Sequence, residues 1–105
     1  MPRGERRELR HGVLVHADLR GDTGVVQGGT IDELSASGCR ISPGRDDIAV
    51  GSWLTVTVGT ARTISGCVKW CTGEAYGLEF DRPLHKAELD HLRYFLNEHP
   101  VWTET

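Results

Sequence analysis

Short segments of alternating polarity, each closed by turn residues, constrain this chain more than anything else in it. Val13, Val15, Ala17 and Leu19 alternate with Leu14, His16, Asp18 and Arg20, the period of two expected of a strand with one face buried. Gly21-Asp22-Thr23-Gly24 follows as a turn, and Val25 to Leu34 resumes extended character, with Gly28-Gly29 in its middle marking a bulge or sharp bend. Ser35-Ala36-Ser37-Gly38 ends that strand, Cys39 to Ser42 is a short one, and Pro43 to Val50 reads as a connecting loop. Trp53 to Val58 and Arg62 to Trp70 are rich in β-branched and aromatic residues and are joined at Gly59-Thr60-Ala61; Thr72-Gly73-Glu74 turns the chain into Tyr76 to Phe80. Six short strands so punctuated predict a small antiparallel barrel or sandwich.

The period then changes. Leu89, Leu92, Phe95 and Leu96 share a helical face, Leu84 enters ahead of them, Asp81 and Pro83 give a start signal and Pro100 a stop. A helix of about three turns is expected to cover one mouth or edge of the barrel. Upstream, residues 1–11 form an arm with four arginines and few apolar side chains, too little to order itself when free. The expected organisation is therefore the arm, a single domain over 12–98, and a tail over 99–105, and 105 residues leave no room for a second core.

Charge and cysteines narrow the function. Net charge is −3, yet residues 1–20 hold five arginines against three acids. DNA or RNA binding therefore has no support, and any anion site is expected at the front of the chain. No segment is long and apolar enough to insert in a membrane, and no apolar leader opens the sequence, so a cytoplasmic protein is expected. Three cysteines, an odd number, read as free thiols. Cys67 and Cys71 lie about 13 Å apart on a strand, too far to share a metal ion without a bend. No spacing places a nucleophile beside a base, and no glycine-rich phosphate loop carries its lysine, so an enzyme is not expected. Trp53 and Trp70 read as core or barrel-rim residues, and the five histidines as surface residues.

Two short elements carry ligand chemistry. Arg6-Arg7-Glu8-Leu9-Arg10 contains R-x-x-x-R just before the first strand, and guanidinium groups grip phosphate and the O6 and N7 acceptors of guanine. Glu33-Leu34-Ser35-Ala36-Ser37-Gly38 supplies a carboxylate able to accept from guanine N1–H and N2–H, a hydroxyl on the same side, and a glycine for a tight exit turn. Arg40 adds positive charge just after it. By strand alternation Asp32 faces away from Ser35, unless a bulge shifts the register.

Together these elements resemble the PilZ domain, the bacterial receptor module for cyclic di-GMP, whose signature is R-x-x-x-R followed by [D/N]-x-S-x-x-G. Arg6 and Arg10 match the first part and Ser35 and Gly38 the second, while Gly66-x-Val68-x-Trp70 and Gly77-Leu78-Glu79-Phe80 resemble the strands that follow. Glu33 stands where the family has Asp or Asn. The resemblance implies a six-stranded antiparallel β-barrel with a C-terminal helix. It further implies a non-catalytic receptor without a resident cofactor that binds cyclic di-GMP through Arg6, Arg7, Arg10, Glu33, Ser35, Gly38 and Arg40, orders its arm on binding and signals to a protein partner. The alternative it allows is an adaptor that keeps the fold and has lost the nucleotide.

Overall fold

The computed structural model describes residues 9–21, 24, 26–59 and 62–97. Six strands, β1 (His11–Arg20), β2 (Val26–Leu34), β3 (Gly38–Ser42), β4 (Trp53–Val58), β5 (Arg62–Cys71) and β6 (Tyr76–Phe80), precede one helix, α1 (Lys86–Tyr94). All strand pairs are antiparallel, and the order β1-β2-β3-β6-β5-β4 closes on itself into a barrel. Closure removes the sheet edges that would otherwise invite pairing with another chain. No helix among the described residues is long and apolar enough to cross a membrane.

The alternation read from β1 is the one that fills the barrel. Val13, Val15, Ala17 and Leu19 point inward and meet Ile31, Ile41, Val56, Val68, Tyr76 and Leu78 in one core. Each such aliphatic side chain contributes roughly 1.5–3 kcal/mol on full burial. Gly28-Gly29 lies in regular pairing with β1, so the expected bulge is not there; a Cβ on Gly29 would come within 2.8 Å of Leu19 and 3.1 Å of Ile41, and the glycine makes room for core side chains. The bulges fall elsewhere. One lies between Ile31 and Glu33, opposite Ile41 and Arg40, another between Val68 and Trp70, opposite Leu78 and Gly77, and the register of β1 against β2 also shifts between Gly12 and Val15.

Helix α1 is shorter than the sequence pattern suggests. It begins after His85, whose backbone N–H donates to the Glu88 carboxylate at 2.9 Å, rather than at Asp81 or Pro83. Leu84 and Leu92 are buried, with Leu89 and Leu96 partly buried against the core. Phe95 does not join them: the helix ends at Tyr94, and Phe95, the C-cap residue, is 77% exposed. Arg62 holds Glu88 at 3.2 Å, and the Leu14 backbone N–H donates to Asn97 at 2.8 Å, so contacts near both ends of the helix fasten it to the barrel.

Candidate ligand cleft

The turn between β2 and β3 is built almost entirely from backbone hydrogen bonds. The Ser35 N–H donates to the Gly38 carbonyl at 2.9 Å, and the Ser35 hydroxyl reaches the same oxygen at 3.3 Å. Carbonyls of Ala36 and Ser37 accept from Leu84 and Phe80 N–H groups, both at 2.8 Å. The turn is thereby pinned to the segment that leads into α1. Ser35 is buried and its proton is used by the turn, so what its hydroxyl offers outward is an acceptor lone pair. Gly38 is required for a reason the sequence did not indicate. Its φ is not positive, but a Cβ there would lie 2.3 Å from the Leu78 carbonyl oxygen, so only glycine lets β3 pass this close to β6.

The first bulge settles where the two acids of β2 point. Ile31 and Leu34 both face the core three residues apart, and Asp32, the extra residue, turns outward with Glu33. Asp32 therefore does not stand on the opposite face. It accepts from the Ser42 hydroxyl at 3.1 Å and faces Arg40 at 3.9 Å. Glu33 pairs in register with Arg40 and holds Arg10 at 3.7 Å.

The second bulge does the same for β5. Lys69 is its extra residue, and both Lys69 and Trp70 face outward after the buried Val68. Trp70, expected in the core or rim, is 42% exposed, and Trp53 is also exposed on the outer face. Gly77 lies opposite Trp70, and a Cβ at Gly77 would come 2.2 Å from the indole Nε1 and 2.5 Å from Cε2, so the ring occupies the place of the missing side chain. Through successive pairings, Glu33, Arg40, Gly77 and Trp70 form one row across β2, β3, β6 and β5.

Around that row lies an open cleft of about 210 Å³, lined by Arg10, Glu33, Ser35, Gly38, Arg40 and, on the far side, by Lys69, Trp70, Gly77 and Glu79. Five of the seven residues expected to bind ligand thus converge on one cleft; Arg6 and Arg7, with most of the arm, lie outside the described residues, as does the tail. Trp70, Lys69 and Glu79 were missed by the sequence reading. Lys69 holds Glu79 at 3.3 Å, so Arg10, Arg40 and Lys69, the cations lining the cleft among the described residues, each face an acid. The Arg10–Glu33 and Lys69–Glu79 pairs are largely solvated, a class worth about 0–1 kcal/mol each, so an incoming anion can exchange with them, whereas the Asp32 oxygen that faces Arg40 is buried.

Cys39 lies beneath the cleft. Burial, reinforced by the charge of Asp32, pushes its thiol up to about 12, so it stays protonated and acts as a small apolar filler. Cys67 and Cys71 are also free, and no group of three His, Cys, Asp or Glu side chains among the described residues is placed to hold a metal ion.

A family model for the PilZ domain matches residues 4–98. No curated protein matches the chain. Among solved structures it is similar to the Bacillus subtilis inhibitor of motility, MotI/DgrA, at 14% identity and a TM-score of 0.64 over 87% of this chain and 54% of that one. The chain spans about half the length of that protein, and the likeness is one of fold.

Proposed function

The chain belongs to the PilZ domain family, and from that premise we propose that it is a non-catalytic receptor for cyclic di-GMP. The observation that carries this reading is the convergence of Arg10, Glu33, Ser35, Gly38 and Arg40 on a single cleft with an exposed indole beside them. Cyclic di-GMP has two phosphodiester charges and two guanines. Arginine forks suit both, a carboxylate suits the N1–H and N2–H edge of guanine, and the Trp70 face suits either base as a stacking surface.

Binding on this reading is an exchange of partners. Arg10 leaves Glu33 for phosphate or the guanine O6 and N7 edge, and Glu33 then accepts from guanine. Because each described cation of the cleft already has an acid beside it, the positive charge that attracts a dianion comes from Arg6 and Arg7 of the arm. Drawing the arm over the ligand creates a surface for a protein partner. The backbone bonds from the Ser35–Gly38 turn to Leu84 and Phe80 offer a second path, toward α1.

The alternative is an adaptor that no longer takes nucleotide, favoured by Glu33 in place of Asp or Asn and by its pairing with Arg10. Isothermal titration with cyclic di-GMP separates the two. A receptor binds, loses about 1–3 kcal/mol in Arg10→Ala, and recovers only part in Arg10→Lys, because the planar fork is gone. Glu33→Asp restores the family's residue and holds or raises affinity, whereas Glu33→Ala lowers it. An intact wild-type chain that gives no binding isotherm at millimolar cyclic di-GMP is the adaptor.

A further inference from the structure

We propose that Glu79 is a second base-reading carboxylate of this cleft, taking the other guanine of the dinucleotide; the inference rests on the cyclic di-GMP reading above. It starts from the arrangement of charge. Arg10 and Glu33 form a cation–acid pair on one side of β3, at 3.7 Å, and Glu79 and Lys69 form another on the far side, at 3.3 Å. Glu79 pairs in register with Gly38, the glycine that closes the S-x-x-G turn, just as Glu33 pairs with Arg40 two residues further along the same strand. The two carboxylates are thus two strands and two residues apart, about 12 Å between Cα atoms from the strand spacing and rise. Trp70 stands over Gly77 on β6, two residues from Glu79 on the same strand.

A ligand with two equivalent guanines and two equivalent phosphates meets, in this cleft, two acids and two cations placed on either side of one strand. Glu33 answers one base. The second base, if left against solvent, would carry no discrimination, whereas Glu79 is an acceptor whose present partner is a solvated ammonium. Glu79 and Lys69 side chains are both more than half exposed, so their pairing is weak and exchangeable. On binding, Glu79 releases Lys69 and accepts from N1–H and N2–H, and the freed ammonium faces phosphate.

The test compares cyclic di-GMP with cyclic di-IMP, whose hypoxanthine bases keep N1–H and lack the 2-amino group. Wild type, Glu79→Ala, Glu79→Gln and Lys69→Met are titrated with both ligands at one salt concentration, with thermal melts to confirm folding. Glu79→Ala should lose about tenfold or more in affinity for cyclic di-GMP, the scale of a hydrogen bond to a charged group, and clearly less for cyclic di-IMP. Glu79→Gln should fall between, and Lys69→Met should keep the preference for guanine. Equal losses for both ligands would show that Glu79 acts through charge or through Lys69, and an unchanged or raised affinity that it merely opposes the ligand; each overturns the inference while leaving the receptor intact. Failure of the wild-type chain to bind cyclic di-GMP overturns the receptor reading, and this inference with it.

Discussion

Replacing Gly77 by alanine tests whether Trp70 is a base platform without touching Trp70 itself. The added methyl would sit 2.2 Å from the indole Nε1 and 2.9 Å from Cδ1, distances no packed pair tolerates, so the ring must leave its seat. The backbone has no objection: Gly77 does not have a positive φ, and alanine in a strand interior is favoured over glycine by roughly 0.5–1 kcal/mol. Trp70 is exposed, so its displacement forfeits little core packing, and the folded state should keep its melting temperature within a few degrees.

Ligand affinity should not survive as well. Stacking of a base on an aromatic side chain is worth about 1–3 kcal/mol, which corresponds to between fivefold and 150-fold in the dissociation constant for cyclic di-GMP. The assay is a double-mutant cycle: wild type, Gly77→Ala, Trp70→Ala and the pair, each titrated, with the Trp70 indole N–H resonance followed to confirm that the ring has moved. The cost of Gly77→Ala should vanish once Trp70 is absent, because the methyl then displaces nothing. A moved indole with undiminished affinity would remove Trp70 from the site. An undiminished cost in the Trp70→Ala background would mean that Gly77 matters for backbone approach of the ligand rather than for the indole.

Two further outcomes are expected of the scaffold. Gly38→Ala forces a methyl within 2.3 Å of the Leu78 carbonyl and should destabilise the barrel by about 1–3 kcal/mol, read as a lower urea midpoint with an unchanged slope; an unchanged midpoint would refute the close-approach account. The Glu88 carboxyl is held below its ordinary value first by the His85 backbone N–H and then by Arg82, His85 and Arg62. Because its folded pKa is depressed, its stabilisation is present above the ordinary value of 4.5 and is lost as pH falls through the folded one. Glu88→Gln should therefore melt below wild type at neutral pH, with the gap closing in acid; a gap independent of pH would refute this.

Much of the barrel was legible because its determinants are local. Alternation in β1, the β-branched runs of β4 and β5, and the turn residues between them need no tertiary information. The helix was legible in its leucines, but Phe95 was not, since the apolar stripe continues in the sequence beyond the point where the chain leaves the helix. The Ser35–Gly38 turn was legible as a motif and misread as conformation. Gly38 suggested a turn requirement, whereas the restriction comes from Leu78, forty residues away in sequence, and no local pattern encodes such an approach.

The bulges are where strict alternation fails, and their physical origin was present in the residues. Ile31-Asp32-Glu33-Leu34 has two apolar side chains three apart with two acids between them. In a strand of unbroken period two, Ile31 inside requires Glu33 inside as well, and a carboxylate in an aliphatic barrel without a partner costs several kcal/mol. Inserting one residue into the ladder forfeits about one backbone hydrogen bond, net 0.5–1.5 kcal/mol, and turns both acids to the outer wall, Glu33 toward Arg10 and Asp32 toward Ser42 and Arg40, so the bulge wins. Val68-Lys69-Trp70 presents the same conflict in β5: with Val68 inside, unbroken alternation puts the large indole inside as well. The core holds Tyr76 and Phe80 already, and one extra residue at Lys69 releases Trp70 to the seat left by Gly77. Arg40 and Gly77 pair directly with each other, one opposite each bulge. The two local solutions to burial thus bring Glu33, Arg40 and Trp70 into one row, and the same economy that keeps charge out of the barrel assembles the cleft on its outer wall.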